Sequence, residues 1–170
     1  LFYGGIEDNQ TGNGSGGGLY IADGCDVHIT AGTGIGFNQA YLHGGGIYVG
    51  DAVLSVYNKG ISWNDALNGH GGGIYAGSGS SLDMINVRLA YNDVFKASLN
   101  GGGLYRNSAG FVSVGYSTIH GNSAENYGGG IYNSGGVMPV LASLVTSNTA
   151  SAGSGIYGAS TVNVDYTLRY

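Results

Sequence analysis

A glycine triplet followed by an aliphatic residue and a tyrosine recurs along the chain at a nearly fixed interval. It reads GGGLY at 16–20 and 101–105, GGGIY at 44–48, 71–75 and 128–132, and GSGIY at 153–157. The steps between tyrosines are 28, 27, 30, 27 and 25 residues. A second marker keeps the same beat: an aliphatic residue three positions before an asparagine, at Ile6/Asn9, Ile35/Asn38, Ile61/Asn64, Leu89/Asn92, Ile119/Asn122 and Val145/Asn148. Two markers in phase at this period specify stacked structural repeats.

What fills each period decides the kind of repeat. Between the markers, apolar and polar residues alternate with period two, as in Leu54-Ser55-Val56-Tyr57, Val112-Ser113-Val114 and Val162-Asn163-Val164-Asp165. That is strand patterning, and no window offers a capped amphipathic helix. The expected fold is all-β: a right-handed, single-stranded parallel β-helix (solenoid) of about six coils, about 27 residues each, with three short strands per coil. It forms a single domain over 1–170, with partial coils at both ends. The 36 glycines then act as turn punctuation and not as a sign of disorder, because Ile, Leu, Val and Tyr return at fixed phase among them.

Each marker has an expected role. The aliphatic residue of GGGIY points into the lumen, and Tyr20, Tyr48, Tyr75, Tyr105, Tyr132 and Tyr157 form an exposed aromatic ladder at the spacing of adjacent strands, about 4.8 Å. Asn9, Asn38, Asn64, Asn92, Asn122 and Asn148 stack at a corner as a structural ladder, each amide bonding its own turn and the asparagine of the next coil.

The segment STIHGNSA at 117–124 running into GGGIYN at 128–133 resembles the repeats of bacterial cell-surface right-handed β-helix proteins of the polymorphic outer membrane protein type. Those repeats pair a GG(A/G)I motif with Phe-x-x-Asn. The resemblance spans nearly the whole chain and departs from the family in placing Ile, Leu or Val where the family has Phe. It implies a secreted or cell-surface protein, often adhesive, and carries over no ligand and no catalytic residue.

Charge narrows the partners. A net charge of −5, with only five Lys and Arg, argues against a nucleic-acid or anionic-membrane surface, and no apolar run is long enough to span a bilayer. No cofactor or metal is expected. The one cysteine, Cys25, has no internal partner and reads as a small buried or half-buried residue rather than a nucleophile.

The chain's two ends fall in mid-coil. This leads to the expectation of a non-catalytic extracellular filament subunit that assembles head-to-tail with copies of itself. The contact would use Leu1, Phe2 and Tyr3 at one end and Val162, Val164, Tyr166, Leu168 and Tyr170 at the other. A slice of a longer surface protein explains the same ends. A carbohydrate-binding adhesin segment and, behind it, a polysaccharide-active enzyme are the rival classes.

Several smaller patterns bear on those rivals. Asp65 and Asp93 both follow a ladder asparagine, and stacked carboxylates raise one another's pKa or hold a cation. At this spacing they fall nominally near the separation of a retaining glycosidase pair, but solvated turn residues explain them more simply. Phe37, Trp63 and Tyr91 share the position before that asparagine. Facing outward they would form a sugar-stacking platform; alternation from Ile35, Ile61 and Leu89 points them inward, as core, while Asp8, Gly121 and Ser147 share the phase in other coils. His43 and His70 each precede a glycine triplet, where other coils have Ser15, Asn100, Tyr127 and Ala152. Asn9 and Asn13 fit glycosylation acceptors. Gly12, Gly14 and Gly17 match a dinucleotide fingerprint in letters, but they lead into a strand, with no helix to hold phosphate.

Overall fold

The computed structural model describes residues 5–30, 34–107, 110–165 and 168–169. Among them there is no helix. The strands form four sheets in which every named pairing is parallel and joins equivalent positions of successive coils. The pairs Ile74↔Leu104, Leu82↔Val112 and Leu89↔Ile119 show the register. The chain is therefore a β-solenoid of about six coils.

Following one coil shows how the sequence makes it. Gly60–Ser62 lies in the first, seven-stranded sheet. Trp63 turns a corner, Asn64 follows, and Asp65–Ala66 adds to a four-stranded sheet. The glycine triplet turns the next corner into Ile74–Ala76, part of a six-stranded sheet, and Ser81–Ile85 belongs to another six-stranded sheet before the chain returns to Arg88–Ala90. Each central coil thus has four strands, one more than the pattern predicts. The extra strand has two residues, too short for alternation to register.

The lumen is filled as the phase of the aliphatic positions requires. Ile47, Ile74, Leu104 and Ile131 after the glycines, Leu54, Leu82 and Val112 on the longer strands, and Ile61, Leu89 and Ile119 before the asparagines are all fully buried. They join one continuous core along the rod.

The three glycines of a triplet serve different ends. Gly71 has φ +72°, a left-handed corner that side chains disfavour. A Cβ on Gly72 would overlap the Asp93 backbone of the next coil, and one on Gly73 would meet the Asn92 side chain and the Gly103 carbonyl. The first glycine answers a backbone demand; the other two let neighbouring coils touch.

Candidate functional site

Two hydrogen-bonded columns frame the surface between the first sheet and the glycine corner. In the asparagine column, Asn38 Nδ2 donates to Asn64 Oδ1, Asn64 Nδ2 to Asn92 Oδ1, and Asn92 Nδ2 to Asn122 Oδ1, each at 2.9 Å. Asn9 and Asn148 extend it at either end. The other amide hydrogen reaches back to the aliphatic residue of the preceding coil, as from Asn92 to the Ile61 carbonyl at 3.0 Å and from Asn122 to the Leu89 carbonyl at 2.9 Å. The aliphatic-x-x-Asn marker therefore has a geometric cause. Its aliphatic residue fills the lumen while that residue's carbonyl anchors the next asparagine.

The sequence pattern does not expose the second column. Ser15, His43, His70 and Asn100, one per coil before the glycine triplet, each accept the backbone N–H of the equivalent residue in the next coil. Ser15 Oγ accepts from His43, His43 Nδ1 from His70, His70 Nδ1 from Asn100, and Asn100 Oδ1 from Tyr127. Because three residue types do one job, a search for identity misses the column; a search for side-chain acceptors at that phase would find it. Accepting at Nδ1 requires both imidazoles to be neutral there. Burial lowers the His43 pKa, and burial with His43 alongside lowers that of His70 to about 4.

These histidines also alter the tyrosine ladder. The six tyrosines stack in register, with centroids 4.8 to 5.4 Å apart. They point away from the lumen, but they are not uniformly exposed. His43 lies against Tyr75 at 4.5 Å, His70 against Tyr105 at 4.3 Å, and Tyr127 against Tyr157 at 4.5 Å. Tyr20 is 57% exposed whereas Tyr75 is 8% exposed and accepts a hydrogen bond from Asn107. Burial raises the pKa of Tyr75 and Tyr105. The middle of the ladder is a packed aromatic seam, which corrects the expectation of an exposed ladder.

The aromatics expected in the core face outward. Phe37 is 59% exposed and Trp63 50% exposed, and Tyr91 is partly exposed. The cause is the backbone: Phe37, Trp63 and Tyr91 have φ of 56°, 61° and 56°. A left-handed residue breaks the alternation of an extended strand, so counting inward and outward from Ile61 fails one residue too early. Their rings are stacked, Phe37 on Trp63 at 6.3 Å and Trp63 on Tyr91 at 4.4 Å. Gly121 stands at the next step, where a Cβ would overlap the Tyr91 ring, and Tyr91 Oη shares a hydrogen bond with His120 Nε2 at 3.0 Å. Arg88 covers Tyr91 from the first-sheet side.

Beside this aromatic column runs a groove of about 290 Å³, lined by Trp63 and Tyr91 on one wall, by Phe95, and by Asp65, Asp93 and Ser123. Asp65 and Asp93 are direct Cα partners on adjacent coils. Partial burial, and secondarily the charge of Asp93, raises the Asp65 pKa to about 6; burial also raises that of Asp93. Phe95 is present because its coil is longer. Eight positions separate Asp93 from the first glycine at Gly101, against six between Asp65 and Gly71. The extra length forms a turn in which Leu99 N–H bonds the Lys96 carbonyl. Leu99 tucks against Ala66, Val94 and Ala124, leaving Phe95 53% exposed.

The remaining candidates are scattered. Asn9 and Asn13 are exposed, and Asn9 spends its amide on Asn38 and the Glu7 carbonyl. Cys25 is exposed, contrary to the buried reading, because it stands at the start of a strand next to a turn. Val162, Val164 and Leu168 lie in the last strands of their sheets, whereas Leu1, Phe2, Tyr3, Tyr166 and Tyr170 lie outside the described residues. Among the described residues, no three His, Cys, Asp or Glu side chains are grouped to hold a metal ion, and no helix is long and apolar enough to cross a membrane. No protein-family model, curated protein or solved structure matches the chain.

Proposed function

We propose that this protein is a non-catalytic, extracellular binding scaffold that holds a glycan against the groove beside Trp63 and Tyr91. The observation that carries the reading is the outward aromatic column. Three bulky rings occupy left-handed corners, a conformation that costs a side-chain-bearing residue about 1–2 kcal/mol. Ring stacking offsets much of that cost, while Phe37 and Trp63 keep half or more of their surface exposed. The outer edges of the stacked rings, with Phe95, offer the C–H faces of sugar rings an apolar contact, while Asp65 and Asp93 supply hydrogen-bond acceptors alongside.

Trp63 is the only tryptophan, so intrinsic fluorescence reports this site alone. Titration with neutral oligosaccharides is expected to change Trp63 emission saturably. Tyr91→Ala and Phe95→Ala are expected to weaken binding, and Tyr20→Ala, on the other ladder, to leave it intact. If no oligosaccharide alters Trp63 emission and none retards the protein in affinity electrophoresis, the reading fails.

Coil-on-coil assembly of copies of this chain is the second reading. It draws on the register of the coils, in which each strand pairs in parallel with the equivalent positions of the next coil, a pattern that a coil of another copy can continue. Sedimentation over a wide concentration range tests it, and monomers throughout would exclude it.

A further inference from the structure

The groove beside Trp63 has a sign as well as a shape. Its walls are aromatic and its charged lining is wholly acidic: Asp65 and Asp93 border it, and no Lys or Arg does. Among the described residues, no cationic side chain pairs with either carboxyl. The other charged or titratable groups nearby do not change the balance. Glu125, on the next coil, adds negative charge near Asp93. Arg88 and His120 engage Tyr91 from the first-sheet side, away from the groove lining, and Lys96 is exposed in the loop after Phe95. Asp93 accepts hydrogen bonds from the Ser123 side chain and the Val94 backbone, but burial still outweighs them, so two carboxylates in register on adjacent coils, half removed from water, favour a positive charge beside them.

Resting on the glycan reading above, we propose that the groove selects an amino sugar, a glycan whose ring carries an unacylated amine. The ring lies against Trp63 and Tyr91, with Phe95 closing the far side, and the ammonium group is held by the carboxylates of Asp65 and Asp93. Uronic or sulfated sugars would place anions beside two carboxylates and are rejected. The raised Asp65 pKa fits this arrangement, because a bound cation would take the place of the proton that Asp65 binds below about pH 6.

The test follows Trp63 fluorescence at pH 6.5 and low salt with two probes of equal length, glucosamine oligomers and their fully N-acetylated counterparts. The amine form is expected to bind at least about tenfold tighter, the worth of one charge-assisted contact, and to lose that advantage in high salt and below pH 5. Asp65→Asn with Asp93→Asn should bring the two probes to equal affinity, and a preference for the amine form that survives in this variant would overturn the proposal. Asp93→Ser, which copies the residue found at Ser123, is a second variant should the double one fold poorly. Equal affinity for the two probes would overturn the amine selectivity and leave the glycan reading intact. Binding of neither would overturn both.

Discussion

Asn64 donates one amide hydrogen to Asn92 Oδ1 at 2.9 Å and the other back to the Ile35 carbonyl at 3.0 Å, so one fully buried side chain ties three successive coils together. Asn64 Oδ1 also accepts from the Asn38 backbone N–H and side chain. Asn64→Ala would strand all of these partners in a site without water. It is expected to cost about 1–3 kcal/mol or more in chemical denaturation. Asn9→Ala, at the exposed end of the column, should cost much less. Equal, small effects at the two positions would show that the column does not hold the coils.

Glycine substitutions should separate two uses of the same residue. Gly72→Ala pushes a methyl into the Asp93 backbone, where nothing can yield without parting the coils. A loss of at least about 1–3 kcal/mol is expected, as for overpacked cores. Gly12 has open space around the same position, and Gly12→Ala should stay within about 0.5 kcal/mol of the parent. Thermal melts of the two variants check this directly.

Acid should pull the molecule in two directions at once. His70 has a folded pKa near 4, below the usual 6.5, so the unfolded chain binds its proton first. Its contribution to stability is present above pH 6.5 and declines as pH falls toward 4. Asp65, held near 6 instead of 3.8, has the opposite sign: the folded chain takes up that proton first, so stability from this group grows as pH falls from 6 toward 3.8. His70→Asn, which installs the acceptor found at Asn100, is expected to make the protein more acid-resistant. Asp65→Asn should make it more acid-sensitive relative to neutral pH. Melting temperatures of both variants between pH 4 and 7.5 supply the check.

Trp63 offers a test that separates binding from stability. Trp63→Gly relieves the left-handed corner, worth about 1 kcal/mol, and gives up ring stacking of about 0.5–1.5 kcal/mol. The melting temperature is therefore expected to move little while oligosaccharide retention in affinity electrophoresis disappears. A large loss of stability would mark the ring as structural.

Much of this was legible in the letters because the fold repeats. The phase of Ile47, Ile74 and Leu104 put them in the lumen, and the shared phase of Asn38, Asn64 and Asn92 put them in one column, since equivalent positions of a solenoid must stack. Positions where coils differ were harder to read. His43, His70 and Asn100 share a role without sharing identity, and the longer loop after Asp93 looked like an irregular spacing rather than the mount for Phe95.

Periodicity and residue type at a fixed phase are enough to place the stacked parallel coils, the core and the asparagine column. What reaches the surface depends on how the coils meet in three dimensions. Left-handed corners turn Phe37 and Trp63 outward, against their alternation, and rings from neighbouring coils bury Tyr75. The lengthened loop brings Phe95 to face two carboxylates that lie 28 positions apart in the chain. The left-handed corner before the asparagine is filled by Phe37, Trp63, Tyr91 and Gly121 alike, so unlike the glycine corner it leaves no trace in residue type and could be read only from the folded chain.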